Sequence, residues 1–157
     1  VRLAEVQIEV DATRALELLE KTRGYVLQAG SSYDVATLQL LTARCRLAEL
    51  PPYEAEAPPT MQQLRTYILP ALEEAANAFA SLHCYHEVAE ASYHAARAYH
   101  TVGSDEERNG AAQAYVTATA AANAAKERLA GELVYLEHEG VLERHLDWLK
   151  RSYPGLL

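Results

Sequence analysis

Apolar residues recur every three or four positions along most of this chain, which is the spacing of one face of an α-helix. Asp11 is a suitable N-cap for a helix that extends to about Ala29. The positions expected to face inward in this helix are Ala15, Leu16, Leu19, Val26 and Leu27. The residues before Asp11 resemble the end of another helix, with Leu3, Val6 and Val10 on one face.

Glycine and proline residues divide the helices that follow. Gly30 suits the left-handed conformation that closes a helix, and the next helix is expected from about Tyr33 to Glu49. The segment 50–59 contains four prolines and two glutamates. Because proline cannot continue a helix, this segment is expected to be an exposed acidic loop.

Capping signals mark the middle helices. Thr60 and Gln63 form a capping-box pair, so helix is expected to resume there. Pro70 either kinks that helix or starts a new one, and the acidic residues that follow favour a new helix to about Leu82. A further helix is expected over 86–102 and ends at Gly103.

Ser104 and Glu107 supply a second capping box for a long helix in the last third. The pair Asn109-Gly110 is also compatible with a turn that delays this helix to Ala111. Apolar positions spaced alternately by four and three residues form a seam at Ala111, Tyr115, Ala118, Ala122, Ala125 and Leu129. Gly131 is expected to break the helix. A last amphipathic helix then uses Leu133, Leu136, Leu142, Leu146 and Leu149 and stops near Pro154.

The helices repeat. A shift of 53 residues aligns Val35-Ala36 with Val88-Ala89 and Ala43-Arg44 with Ala96-Arg97. The same shift aligns Leu16, Leu19 and Glu20 with Leu69, Leu72 and Glu73. Each unit is interpreted as two antiparallel helices, which bury their apolar faces by stacking on neighbouring units. The predicted fold is therefore all-α, with helix hairpins stacked as a tetratricopeptide-like solenoid; a closed four-helix bundle is the alternative.

The predicted organisation is one helical-repeat region over residues 1–157, with repeat-like units at about 11–49 and 70–103. The acidic, proline-rich loop 50–59 separates the two units, and further helices occupy 105–152. Because Val1 already lies within an amphipathic run, the region is interpreted as a fragment of a longer chain.

Composition supports helix and narrows the classes of partner. Alanine supplies 29 residues and leucine 22, whereas valine and isoleucine together supply 12. The formal net charge of -8 argues against nucleic acid or an anionic membrane as the main partner. No apolar run approaches the ~20 residues of a membrane span. The two cysteines, Cys45 and Cys84, favour a reducing compartment over a disulfide framework.

No catalytic or metal-binding pattern emerges from the sequence. His83, Cys84 and His86 are close together, but no second pair has the spacing that zinc requires. His94 and His100 are six residues apart and lie on different faces of a helix. No glycine loop for phosphate and no nucleophile motif occurs. We therefore expect no catalytic residue, cofactor, metal or small-molecule substrate.

Tyrosine makes up ten of the twelve aromatic residues, and it is enriched where a protein surface meets a partner. Tyr99 and Tyr115 are expected in the core, packed across a helix hairpin. Tyr33, Tyr53 and Tyr67 are more accessible candidates for contact with a partner. The residues predicted to bind protein are Tyr33, Tyr67, Arg97, His100, Arg108 and Asn109.

One stretch resembles a known family. Ala96-Arg-Ala-Tyr-His-Thr-Val-Gly103, the Arg108-Asn109 pair and Tyr115 resemble the last tetratricopeptide-like repeat of the subunit 5 family of the anaphase-promoting complex. Upstream, Ala15–Leu19 with Gly30, and Ala43–Leu47, resemble the preceding repeat. The resemblance covers roughly residues 11–129, and its specific part is 96–115.

The resemblance implies a non-catalytic scaffold in the platform of a cell-cycle ubiquitin ligase that acts in mitosis and cell division. It implies other subunits of the complex as partners, and a location in nucleus and cytoplasm. Two alternatives remain open: another helical-repeat adaptor, such as a cohesin-loader-like or peptide-binding regulator, and an enzyme or metal protein built on a helical bundle.

Overall fold

The computed structural model describes residues 4, 7–8, 10–51 and 57–138, with the backbone alone for 133–138. Every regular element in these ranges is an α-helix, which confirms the all-α prediction. The helices are α1 (Ala12–Ala29), α2 (Ser32–Ala48), α3 (Met61–Tyr67), α4 (Leu69–Ser81), α5 (Tyr85–Thr101) and α6 (Asp105–His138). Contacts group the chain into two compact units, residues 1–119 and 120–157.

Side-chain caps start three of these helices. The carboxylate of Asp11 accepts a hydrogen bond from the Arg14 backbone N–H at 3.0 Å, as expected of an N-cap. Thr60 and Gln63 form the predicted reciprocal capping box of α3. Ser31 and Asp34 form another at the start of α2, which was not among the sequence predictions.

Proline starts α4, as the sequence favoured. The short helix α3 ends at Tyr67, and α4 follows with Pro70 in its first turn. Proline is tolerated there because the first amides of a helix have no acceptor within the helix. Ile68, at the junction, is 1% exposed, so the junction between α3 and α4 lies within the core.

Glycine positions account for three corrections. Gly30 does not adopt the left-handed conformation, since its φ is -78° and its ψ 155°; the left-handed closure occurs at Gly103, with a φ of 68°. The predicted break at Gly131 is wrong, because α6 continues to His138. Asn109 and Gly110 lie inside α6, which excludes a turn at this pair. The proposed helix beyond residue 138 lies outside the described residues.

Two hairpins organise the first unit. Helix α1 packs against α2, α4 packs against α5, and α2 joins the hairpins through its contact with α4. One apolar cluster lies between α2, α4 and α5 and includes Phe79 and Leu72. A second lies between α1 and α2 and extends to Ala4 and Ile8. This arrangement is consistent with a helical repeat.

Residues matched by the 53-residue shift have similar burial. Leu19 and Leu72 are both buried in the first helix of their hairpins, and Ala36 and Ala89 are both buried in the second. Alanine at the matched positions allows the helix backbones to approach each other closely. These matched positions are consistent with a helical repeat.

Some residues expected to be buried are on the surface. Leu27 is 56% exposed and Val10 is 80% exposed. Leu27 lies one residue after the buried Val26, about 100° further round the helix, so the interface with α2 does not reach it. Tyr115 is 40% exposed, and the prediction that it lies in the core is wrong. Leu3 and Val6 lie outside the described residues.

Candidate protein-interaction surface

A groove separates α6 from the α4–α5 hairpin within the first unit. Its volume is about 410 Å³, and we call it the α4–α6 groove. Leu69, Leu72 and Ala76 line it from α4, and Ala91 and Ala95 line it from α5. Gly110, Ala111 and Ala114 form the wall contributed by α6. Most of the lining is small or apolar, so the groove accommodates apolar groups close to the helix backbones.

Two carboxylates lie in the lining of the groove, Glu73 on α4 and Glu107 on α6. The Ser104 hydroxyl donates a hydrogen bond to the Glu107 carboxylate. This bond, followed by the Glu107 backbone amide, lowers the pKa of Glu107 below its usual value. Glu107 is therefore ionised at neutral pH, and the apolar groove carries negative charge.

A second surface lies where α5 and α6 carry tyrosines. The rings of Tyr93 and Tyr115 have centroids 6.2 Å apart, and the Arg97 guanidinium lies 5.9 Å from the Tyr93 ring centroid. The last distance fits a cation–π contact. Tyr93 and Tyr115, with His86 and Thr119, line a cavity of about 330 Å³. Tyr115 therefore packs beside Tyr93.

The predicted site residues on the first hairpin and on α3 lie in separate places. The Tyr33 hydroxyl donates to Glu87 at 3.0 Å, and its ring lies edge-on to Phe79 with centroids 5.4 Å apart. Tyr67 is exposed, and its carbonyl accepts a hydrogen bond from Arg46 at 2.9 Å. Tyr33 thus contributes to packing between hairpins, whereas Tyr67 remains on the surface. Tyr53 lies outside the described residues.

The predicted site residues from α5 and α6 make different contacts. Arg97 and His100 lie on α5, and the Arg97 guanidinium lies over the ring of Tyr93. Arg108 forms an ion pair with Asp105 at 2.8 Å and donates to the Asn109 side chain at 3.2 Å. These contacts lie at the first turn of α6. Whether any of the six residues contacts a partner stays a prediction.

Neither the α4–α6 groove nor the role of Tyr93 was among the sequence predictions, which gave Glu73 and Glu107 only local roles at the starts of their helices. A signal was present, because Ala111 and Ala114 are three residues apart on the helix that Glu107 starts. Tyr93 and Arg97 are likewise separated by four residues on α5. The sequence could not predict how far apart α4 and α6 lie.

A polar cluster joins the hairpins on another side of α5. Arg44 on α2 donates to Glu90 on α5 at 2.8 Å, and the His94 Nε2 lies 3.8 Å from the same carboxylate oxygen. The interaction with the His94 side chain lowers the pKa of Glu90 most, and the charge of Arg44 lowers it further. A charged Glu90 thus ties the two hairpins together.

The histidine-rich turn between α4 and α5 holds an aromatic contact. His83 and Tyr85 meet through Nδ1 and the hydroxyl at 3.1 Å. Among the described residues no group of three or more histidine, cysteine or acidic side chains is placed to hold a metal ion. None of the helices in the described ranges has the length and apolarity that a membrane span requires.

Comparison with known proteins gives one consistent relative. The chain is 30% identical over 102 residues to "Anaphase-promoting complex subunit 5" of Homo sapiens and of Pongo abelii, and 29% identical to that of Rattus norvegicus. The chain is distantly similar to this subunit. The matched residues are 65% of the chain but only 13% of the human protein, so the chain spans a small part of these relatives. No protein-family model matches the chain, and no solved structure matches it significantly.

Proposed function

We propose that this chain is a non-catalytic scaffold segment of a subunit of an anaphase-promoting-complex-like ubiquitin ligase. The observation that carries the proposal is the similarity to subunit 5 over 102 residues. In this proposal the segment has no active site of its own, and its work is to hold other subunits at fixed positions. The proposed cell locations are the nucleus and the cytoplasm.

The geometry supports such a role. Two hairpins packed through α2 and α4 form a stiff body, and buried alanines such as Ala36 and Ala89 keep the helices close. We propose that the hairpins continue the stacking of a tetratricopeptide-like solenoid. A solenoid presents long surfaces whose shape follows from repeat packing, and binding is then spread over many contacts.

The experiment is affinity purification of the tagged full-length protein from synchronised cells. We expect co-recovery of ligase subunits, and reduced recovery when residues 12–119 are deleted. The matched control is Gly24→Ala, which changes an exposed position inside α1 with no atom within 4 Å of the added Cβ. Full-length protein that recovers no ligase subunit would refute the proposal.

The α4–α6 groove favours a second candidate, a helical-repeat adaptor of another complex that binds a peptide. A groove of about 410 Å³ with apolar lining and two carboxylates has the features of a site for a short segment. The same purification separates the candidates. An adaptor would recover one defined partner that binds with micromolar affinity as an isolated peptide, and no ligase subunits.

A further inference from the structure

We propose that the α4–α6 groove binds a segment of a neighbouring subunit that combines small apolar side chains with lysine or arginine. This inference rests on the proposed scaffold function, since it names the chemistry of one of the scaffold's partners. It follows from the shape of the groove, the size of its lining residues and the sign of its charge.

The lining of the groove is mainly apolar. Leu69, Ala76 and Ala95 are partly exposed and contribute its apolar surface, whereas Leu72 in the same lining is itself buried. Helix α6 leaves this space open, because the close helix pairs within the described part of the chain are formed among α1 to α5. Apolar surface beside such a space gains free energy when a partner removes it from water.

The α6 wall of the groove is built from small residues. A methyl group added at Gly110 would have no atom within 4 Å, and Ala111 and Ala114 extend the same wall. Small residues on a helix allow another backbone to approach closely. The volume of about 410 Å³ accommodates a few side chains, which fits a short segment rather than a folded domain.

The charge of the groove is negative. Glu73 and Glu107 line the groove from opposite sides, and the Ser104 hydroxyl stabilises the charged form of Glu107. The charge of Arg65 also acts on Glu107, but Arg65 does not line the groove. A lysine or arginine beside apolar residues would satisfy both carboxylates as they lose water.

The same charge disfavours other occupants. An acidic segment or a nucleic acid would place like charges beside Glu73 and Glu107. A second copy of this chain would bring a formal net charge of -8 to an already acidic surface. A basic segment of a different subunit is therefore the occupant that the groove favours.

The test is site-specific photocrosslinking in the full-length protein within its purified assembly. p-Benzoyl-phenylalanine replaces Ala114 in the groove or, as the matched control, Ala112, which is exposed two residues earlier and does not line the groove. We expect a crosslink from position 114 and not from 112. Mass spectrometry should place it in a segment of another subunit that contains lysine or arginine.

The contribution of charge is tested by its own variant. Glu73→Gln/Glu107→Gln keeps side-chain size, and glutamine at position 107 retains the hydrogen-bonding partner for Ser104. We expect the crosslink yield from position 114 to fall roughly tenfold, as for the loss of two partly exposed ion pairs. Circular dichroism of the variant should show unchanged helix content.

The crosslinking results test the groove's proposed partner separately from the proposed scaffold function. Recovery of the assembly without a crosslink from position 114, or with a crosslink to an acidic segment, overturns the inference and leaves the scaffold function standing. A crosslink within this chain or to a second copy also overturns it. A crosslink to a basic segment of another protein, with no ligase subunit recovered, supports the groove's chemistry and overturns the proposed ligase.

Discussion

Gly30 offers a sharp test of how the first hairpin is held together. Its backbone φ of -78° and ψ of 155° are ordinary for any residue, so alanine meets no conformational barrier there. A Cβ at this position, however, would lie 2.5 Å from the Val26 carbonyl oxygen and 3.2 Å from the Asp34 Cβ. The glycine is needed mainly because the Val26 carbonyl in the last turn of its own helix lies so close, and Asp34 in the first turn of α2 adds a second, milder contact.

The loss of stability expected for Gly30→Ala follows from the backbone atoms that must shift. The Val26 oxygen accepts the Gly30 N–H at 2.9 Å, and this bond closes α1. Relieving a 2.5 Å contact requires a backbone shift that weakens this bond and disturbs the Ser31–Asp34 capping box beside it. We expect Gly30→Ala to lower the free energy of unfolding by about 1–3 kcal/mol.

The matched control is the same substitution in the same helix. Gly24 lies inside α1 with no atom within 4 Å of an added Cβ, so Gly24→Ala should raise stability by about 0.5–1 kcal/mol. Urea unfolding followed by circular dichroism at 222 nm measures both. Equal stabilisation by the two substitutions would refute the close contacts of Gly30 with Val26 and Asp34.

Three further predictions concern stability. Phe79→Ala should cost about 3–5 kcal/mol, because the side chain is fully buried between the hairpins, and urea unfolding measures the loss. His83→Gly should raise the midpoint of thermal unfolding, since His83 has a φ of 59° that only glycine adopts freely. Hydrogen bonds from the Ser31 side chain and backbone lower the pKa of Asp34 below its usual value in the folded chain. The ionised Asp34 carboxylate therefore stabilises the folded chain above the unfolded-state pKa, and this stabilisation is lost as the pH falls through the lowered, folded-state pKa. In thermal unfolding scans, the wild type should have a higher midpoint than Asp34→Asn at neutral pH, and the difference should disappear in acid.

Signals that act within a few residues were the ones that sequence could predict. The cap at Asp11, the Thr60–Gln63 box and the helix end at Gly103 each depend on neighbours in the chain. The 53-residue repeat was also informative, because matched positions such as Leu19 and Leu72 share burial. Local chemistry thus predicted most helix starts, and the repeat predicted the pairing into hairpins.

Errors occurred where one local signal allows several outcomes, or where packing between helices decides. Gly30 was assigned the commonest role of a helix-ending glycine, whereas the structure gives it an extended conformation in close contact with Val26 and Asp34. Gly131 was expected to end α6, but a glycine costs a helix only about 1 kcal/mol, and the neighbouring alanines favour helix. Tyr115 follows the seam of apolar positions, yet α6 stands apart from the hairpin, so the seam does not bury it there.

The separation of α6 from α4 also explains why the candidate site was beyond the sequence. Glu73 and Glu107 are 34 positions apart, and each has a sufficient local explanation at the start of its helix. Only the three-dimensional arrangement shows that both line one apolar space. A scaffold built from repeated hairpins creates such spaces wherever a helix departs from the repeat. In the proposed scaffold, partner contacts then depend on this departure, because it opens the space that Glu73 of the repeat and Glu107 beyond it both line.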